Sequence, residues 1–99
     1  MHEFQRGAVR LHVLHQAAER EIDGAYVTEV LARHGYRISP GTLYPTLHRM
    51  EDEGLLSSRK SVINGRTRRL YRVTKTGKEA LDEDRRALAA LASEVLGSG

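Results

Sequence analysis

Between Ser39 and Arg49 the chain carries small polar and cationic side chains at a spacing that fits contact with a polyanion. Ser39, Gly41, Thr42, Tyr44, Pro45, Thr46 and Arg49 fall on the side of one segment that its leucines leave open. Leu43, Leu47 and Met50 stand at i, i+4 and i+7, the single apolar stripe of an amphipathic helix. At the start of such a helix, around Pro40 to Leu43, outward backbone amides suit a phosphate, and Ser39 and Thr42 add hydroxyl donors. Tyr44, Pro45 and Thr46 lie along the early turns, where side chains can meet base edges or thymine methyls. Arg49 has two readings, a phosphate contact or an ion pair with Glu53 at i+4.

A second group lies immediately downstream. From Gly54 to Lys78 there are eight basic residues and no acidic one, so the rest of the chain carries −5 against a total of +3. A concentrated basic patch on a mildly acidic body is the electrostatic footprint of a nucleic-acid binder. Lys60, Arg66, Arg68 and Arg69 are the candidates in this block, the three arginines for a phosphate backbone or a minor groove. The plainer reading is a solvated hairpin face.

Other chemistries find little support. The chain has no cysteine, which excludes disulfides, thiolate metal sites and thiol redox sensing. His12 and His15 stand three apart, but no further ligand has an obvious place beside them, so no metal site is expected. Histidines at a helix interface, open to pH, are the better reading. No Gly-rich phosphate loop and no nucleophile motif is present, so neither a catalytic residue nor a cofactor is expected. No apolar run approaches the roughly 18 residues of a membrane span. The segment MHEFQRG lacks the layout of a signal peptide. The expected location is the cytoplasm.

The elements that must position these residues can be read in order. A first helix is expected from about Phe4 to Glu19, with Phe4, Ala8, Leu11, His15 and Ala18 along one stripe and Val9, Val13 and Leu14 widening it. So apolar a helix must bury more than one face. A second opens after Asp23, a good N-cap, and ends near His34-Gly35, with Tyr26, Val27, Val30 and Leu31 facing inward. The third starts at Ser39-Pro40, where the serine oxygen can cap free amides and proline fits the first turn, and stops at Gly54. Pro45 costs that helix a hydrogen bond, or else its regular part begins nearer Thr42. Leu43, Leu47, Met50 and Leu55 are assigned to the core. Two strands follow, to about Ile63 and from about Arg66 to Val73, joined by Asn64-Gly65, the strongest short hairpin signal. Leu70, Tyr71 and Val73 are the packing residues of the second strand. Thr74 then caps a last helix reaching about Leu96.

The expected fold is thus mainly α: a winged helix-turn-helix with a two-stranded β-hairpin wing and a long C-terminal helix. Residues 1–74 form the winged helix-turn-helix and residues 75–99 a C-terminal helix packed on the same domain. Leu81, Leu88 and Val95 are seven apart with Leu91 between them, a seam that packing against a second chain would bury. Leu11, Leu14, Leu81, Leu88, Leu91 and Val95 are therefore the candidate dimer contacts. Packing within one chain is the alternative.

The ordered set Gly41-Thr42-Leu43-Tyr44-Pro45, Arg49, Glu51 and Gly54-Leu55-Leu56, followed by Tyr71-Arg72-Val73-Thr74 and Gly77, anchors a pattern that covers roughly Gly24 to Leu81, most of the domain. It closely resembles the PadR family of transcription regulators, in its short form with a single C-terminal dimerisation helix. The resemblance implies that the third helix enters the DNA major groove and that the chain is a homodimeric, sequence-specific regulator, a repressor at an inverted repeat. Half-sites would then lie about one helical turn apart or a multiple of it. It also implies a small-molecule effector between the subunits, lined by the first and last helices, with Leu11, His15, Leu88 and Leu91 as candidate positions. One departure stands out: Gly24-Ala25-Tyr26 sets the ring one position, about 100°, beyond the glycine-tyrosine pair of many relatives. The chain also has no tryptophan, so a tryptophan-lined pocket is not implied. The alternative function is a winged-helix module that holds a protein partner without reading DNA sequence.

Overall fold

The computed structural model describes residues 1–97. The elements run α1 (Glu3–Glu19), α2 (Gly24–Arg33), α3 (Pro40–Asp52), β1 (Leu56–Ile63), β2 (Arg66–Val73) and α4 (Lys75–Leu96). This is the winged helix-turn-helix expected from the sequence. Residues 98 and 99, assigned above to the C-terminal unit, lie outside the described residues.

Local sequence sets each boundary. Asp23 caps α2 by accepting the Tyr26 amide at 2.8 Å. Helix α3 begins at Pro40 and runs through Pro45 without interruption, so it tolerates the lost hydrogen bond rather than starting late. Its last turn closes through the amides of Gly54 and Leu55, which donate to Glu51 and Met50 at 2.9 Å each. The strands pair antiparallel from Leu56 opposite Val73 to Ile63 opposite Arg66. Asn64 and Gly65 make the turn with φ of 52° and 75°, the double positive φ that a two-residue hairpin demands.

The core is one cluster drawn from every element. Val13, Leu31, Leu47 and Met50 have no exposed surface, and Leu43, Ile22 and Tyr71 are 1% exposed. Truncating Leu47 to alanine in such a site would cost about 2–5 kcal/mol. Leu55 and Leu70 are only half-buried, whereas Leu56, Tyr71 and Val73 are fully so. Helix α1 corrects the expectation about its faces. Its buried residues are Val9, Val13, Leu14 and Ala17, while the stripe that begins at Phe4 lies at the margin, with Leu11 half-buried against the core and Phe4 65% exposed.

Ile22 supplies a part of the sheet that the sequence reading did not assign. Its amide donates to the Tyr71 carbonyl at 2.9 Å, and its carbonyl accepts from the Tyr71 amide at 2.7 Å. This single bridge adds an edge to the hairpin and ties the α1–α2 connection to the wing.

Helix α4 is buried only at its start. Gly77 and Leu81 enter the core; from Asp82 to Leu96 every residue but Ala92 is exposed. Leu14 and Leu81, assigned above to a dimer seam, are each 2% exposed within the single chain and belong to its core. They are corrected accordingly: the part of that seam left exposed comprises Leu88, Leu91 and Val95, with Leu11 half-buried.

Candidate nucleic-acid interface

The open face of α3 follows from its apolar stripe. With Leu43, Leu47 and Met50 inward, a rotation of 100° per residue turns Gly41, Pro45 and His48 directly outward, and all three are exposed. Tyr44 flanks them on one side, and Thr42 and Arg49 flank them on the other; these are exposed as well. Thr46 is the exception. It is 7% exposed, and its hydroxyl donates to the Thr42 carbonyl at 2.8 Å. The sequence reading placed it on the open face; the structure places it at the inner border, because it lies only about 60° from the leucine stripe. His48, which the sequence reading did not single out, shares a turn with Pro45 and is exposed beside it. The same helical rotation marks it as a surface residue.

At the start of α3 the details also differ from expectation. Ser39 makes no side-chain cap; its hydroxyl donates instead to the Thr42 hydroxyl at 3.3 Å. The Thr42 and Leu43 amides both donate to the Ser39 carbonyl, at 3.0 and 2.9 Å. Pro40 has no N–H, so the exposed Gly41 amide is the one left without an intramolecular acceptor among the described residues. Arg49 does not pair with Glu53. That carboxylate holds Arg10 of α1 at 2.7 Å, which leaves the Arg49 guanidinium without an acidic partner among the described residues.

The wing is anchored by some of its own cations. Arg59 makes two hydrogen bonds of 2.7 Å to the Glu21 carboxylate, and Arg68 reaches Asp23 at 3.0 Å. The Arg59 bond, with its charge, holds the Glu21 carboxyl below its ordinary pKa. Asp23 therefore caps α2 with one oxygen and holds the wing with the other. Arg68, one of the candidates for nucleic-acid contact, is thus already paired with a carboxylate, in the tip half of the wing. Arg69 donates to Ser58 at 2.9 Å, and Ser58 donates to Glu51 of α3 at 2.7 Å, a chain that joins wing to helix. Lys60, Arg66 and Arg72 remain exposed and without a carboxylate partner among the described residues. Burial raises the pKa of the Tyr71 phenol behind this face, with the nearby Glu51 charge adding to it.

Tyr44 is seated by a missing side chain. Gly24, at the start of α2, is buried under the tyrosine ring, and a β-carbon there would collide with it. A glycine at the start of α2 thus makes room for a side chain of α3.

The histidines form a separate group. His12 lies 4.6 Å from His34 and 5.6 Å from Tyr36 between ring centroids. Burial, and then the neighbouring His34 and His15, lower its pKa below the usual 6.5. His15 accepts from Arg85 of α4 at 3.1 Å. Among the described residues no three ligating side chains converge as a metal site would require. Of the four candidate effector positions, Leu11, His15 and Leu88 line one groove of about 400 Å³ between α1 and α4, together with Arg85 and Phe4. Leu91 lies instead in a neighbouring groove of about 520 Å³, which Leu11 and Leu88 also border.

A family model described as the transcriptional regulator PadR-like family matches residues 13–83, most of the chain. The chain belongs to the PadR-like family of transcriptional regulators. Membership sets it among regulators and apart from enzymes. The transcriptional regulator Rv3488 of Mycobacterium tuberculosis (strain ATCC 25618 / H37Rv) is 65% identical over 97 residues, covering 98% of this chain and 91% of its own. A PadR family transcriptional regulator from Eggerthella lenta is 34% identical, with a TM-score of 0.81 over 93% of this chain and 81% of that one. The fold is also that of Bacillus subtilis PadR, solved in complex with operator DNA, with a TM-score of 0.68 at 20% identity over 77% of this chain and 46% of that one. No helix among the described residues is long and apolar enough to cross a membrane.

Proposed function

We propose that this PadR-like regulator binds DNA in a sequence-dependent way as a homodimer and represses transcription from an inverted repeat. The observation that carries this reading is the exposed Gly41–Pro45–His48 edge of α3 standing beside a wing whose Lys60 and Arg66 have no carboxylate partner among the described residues. In Bacillus subtilis PadR the same fold is found on operator DNA. Helix α3 enters the major groove, where Tyr44, Pro45 and His48 meet base edges and Thr42, Arg49 and the Gly41 amide meet phosphate. Ser39 supports Thr42 through its hydroxyl, and Thr46 acts by holding the helix rather than by touching bases. Lys60, Arg66 and Arg69 supply sequence-independent attraction from the wing, with Arg68 a weaker contributor because Asp23 already holds it.

The second copy covers the free length of α4. Leu88, Leu91 and Val95 are 49%, 44% and 67% exposed, which leaves an isolated helix with an apolar stripe in water. Two copies across this stripe would set two reading edges about a twofold axis, the arrangement that an inverted repeat matches. A small amphipathic effector would sit in the groove bounded by Leu11, His15 and Leu88 and bias the dimer between states of different spacing.

The test is a fluorescence anisotropy titration of the purified protein with the DNA upstream of its own gene and with random duplex at matched salt. Preference for the upstream DNA is the expected result. Equal affinity for both sinks the sequence-specific reading, and no binding to either would leave the protein-interaction alternative.

A further inference from the structure

A second cationic surface faces α3 from the side opposite the wing. Four arginines from separate parts of the chain converge there: Arg6 and Arg10 from α1, Arg37 from the α2–α3 connection and Arg49 from α3. They border one concavity of about 550 Å³, to which Ser39 and Thr42 contribute hydroxyls. Arg10 is paired with Glu53. Arg6, Arg37 and Arg49 are exposed and have no carboxylate within ion-pair distance among the described residues. No local cluster in the sequence announces this patch, because its members are spread from position 6 to position 49 and only the tertiary fold unites them.

We infer that this concavity is a second phosphate seat for the DNA backbone, with Arg6 and Arg37 as its principal contacts beside Arg49. The inference rests on the DNA-binding reading above and deepens it. A helix with its side chains is about 10–12 Å across, and the major groove is about 12 Å wide. A helix lying in that groove therefore meets a phosphate strand along each flank. On one flank of α3, Tyr44 lies against Gly24 of α2, and Glu51 meets the wing through Ser58, so the wing's cations serve that strand. On the other flank Thr42 and Arg49 are seven residues apart on one stripe and border the arginine-lined concavity. Without it, one strand would face Thr42 and Arg49 alone. With it, the protein grips both walls of the groove, and the rotation of α3 about its own axis is fixed from two sides. A phosphodiester fits the chemistry: guanidinium forks match phosphate oxygens, and neighbouring hydroxyls donate to the same anion.

The experiment compares wild-type protein with Arg6→Ala/Arg37→Ala and with Arg66→Ala/Arg69→Ala in anisotropy titrations at several salt concentrations, using upstream and random duplexes. Each lost phosphate contact should lower the slope of log affinity against log salt by about 1. The first double variant is expected to lose about 2 units of slope per bound subunit, so about 4 for a dimer seated on both half-sites, with its thermal midpoint unchanged because both side chains are exposed. If its slope matches wild type while the wing variant's falls, the second seat is overturned and the DNA reading stands. If wild-type protein binds no duplex, both fall together. If the double variant melts early, Arg6→Gln and Arg37→Gln are titrated singly; unchanged slopes there overturn the seat.

Discussion

The Tyr44 ring occupies the place where a side chain on Gly24 would be. A β-carbon at Gly24 would stand 2.5 Å from the Tyr44 hydroxyl oxygen and 2.8 Å from Cε1 and Cζ, well inside contact distance. The crowded atoms are the tip of a rotatable side chain that is 45% exposed, so the ring rather than the backbone would give way. Gly24→Ala should therefore cost less than about 1 kcal/mol, since alanine also regains helix propensity, while swinging the ring off the flank of α3. The expected signature is a double-mutant cycle. In a Tyr44→Ala background the Gly24 substitution should be neutral or stabilising, with a coupling of about 0.5–2 kcal/mol between the positions. Thermal unfolding and DNA titration of the four proteins measure it. Strict additivity in both would show that the two residues do not act as a unit.

Gly77 meets a harder obstacle. A β-carbon there would collide with the Leu55 carbonyl and would lie 2.5 Å from Val73 Cγ2. The Leu55 carbonyl already accepts the Thr74 amide at 3.0 Å, and the Thr74 hydroxyl donates to the Gly54 carbonyl while accepting the Gly77 amide. These bonds fasten the end of α3 to the start of α4, so the reading helix and the free helix share a rigid junction. Gly77→Ala gains helix propensity worth about 1 kcal/mol but must displace backbone. A net loss of about 2 kcal/mol or more is expected, which in a domain of this size lowers the thermal midpoint by roughly 10 °C. A midpoint at or above wild type would contradict the rigid junction.

His12 gives stability a direction in pH. It is packed among His34 at the C-cap of α2, His15 of α1, Tyr36 and, through His15, Arg85 of α4, which also pairs with Asp82 at 3.6 Å; no acid pairs with the histidines themselves among the described residues. The Val30 carbonyl accepts from His34 Nδ1 at 2.9 Å, which requires the proton on that nitrogen. Burial first, and then the two neighbouring imidazoles, hold the His12 pKa below 6.5 in the folded chain. Above 6.5 the residue is neutral in both states and adds no pH slope. As pH falls through 6.5 the unfolded chain gains a proton that the folded chain refuses, so stability is lost until pH drops below the folded value. Melting curves between pH 5 and pH 8 should show this loss in wild type and a shallower one in His12→Gln. Identical slopes would remove His12 as the cause.

What the sequence made legible was set by local periodicity. Leu43, Leu47 and Met50 located α3, and Asn64-Gly65 located the hairpin, because each signal lies within a few neighbouring residues. What it concealed were contacts between distant segments. Nothing in positions 59 and 68 says that Glu21 and Asp23 will hold those arginines, and an isolated Ile22 between two acids gives no sign of its bridge to Tyr71. Thr46 was misplaced for a subtler reason. A helical wheel puts it at the border between faces, and only the tertiary packing around α3 decides that the border is buried. The same packing gathers Arg6, Arg10, Arg37 and Arg49 into one concavity.

The leucines of α4 divide into two kinds that substitution should separate. Leu81 is 2% exposed and lies in the cluster with Leu14 and Val13, whereas Leu88 and Leu91 stand on the part of the helix that leaves the body. A charge at Leu81 has no partner in the core, so Leu81→Glu is expected to unfold the chain. Leu88→Glu/Leu91→Glu puts two carboxylates on a surface that water reaches in a single chain but that a second copy would cover. That variant should keep its helical circular dichroism and sediment as a monomer where wild type sediments as a dimer. Its affinity for a two-half-site DNA should drop toward that for one half-site, because the two reading edges are no longer linked. If the variant sediments as wild type does, the free face of α4 is not the dimer contact, and the second copy must sit elsewhere.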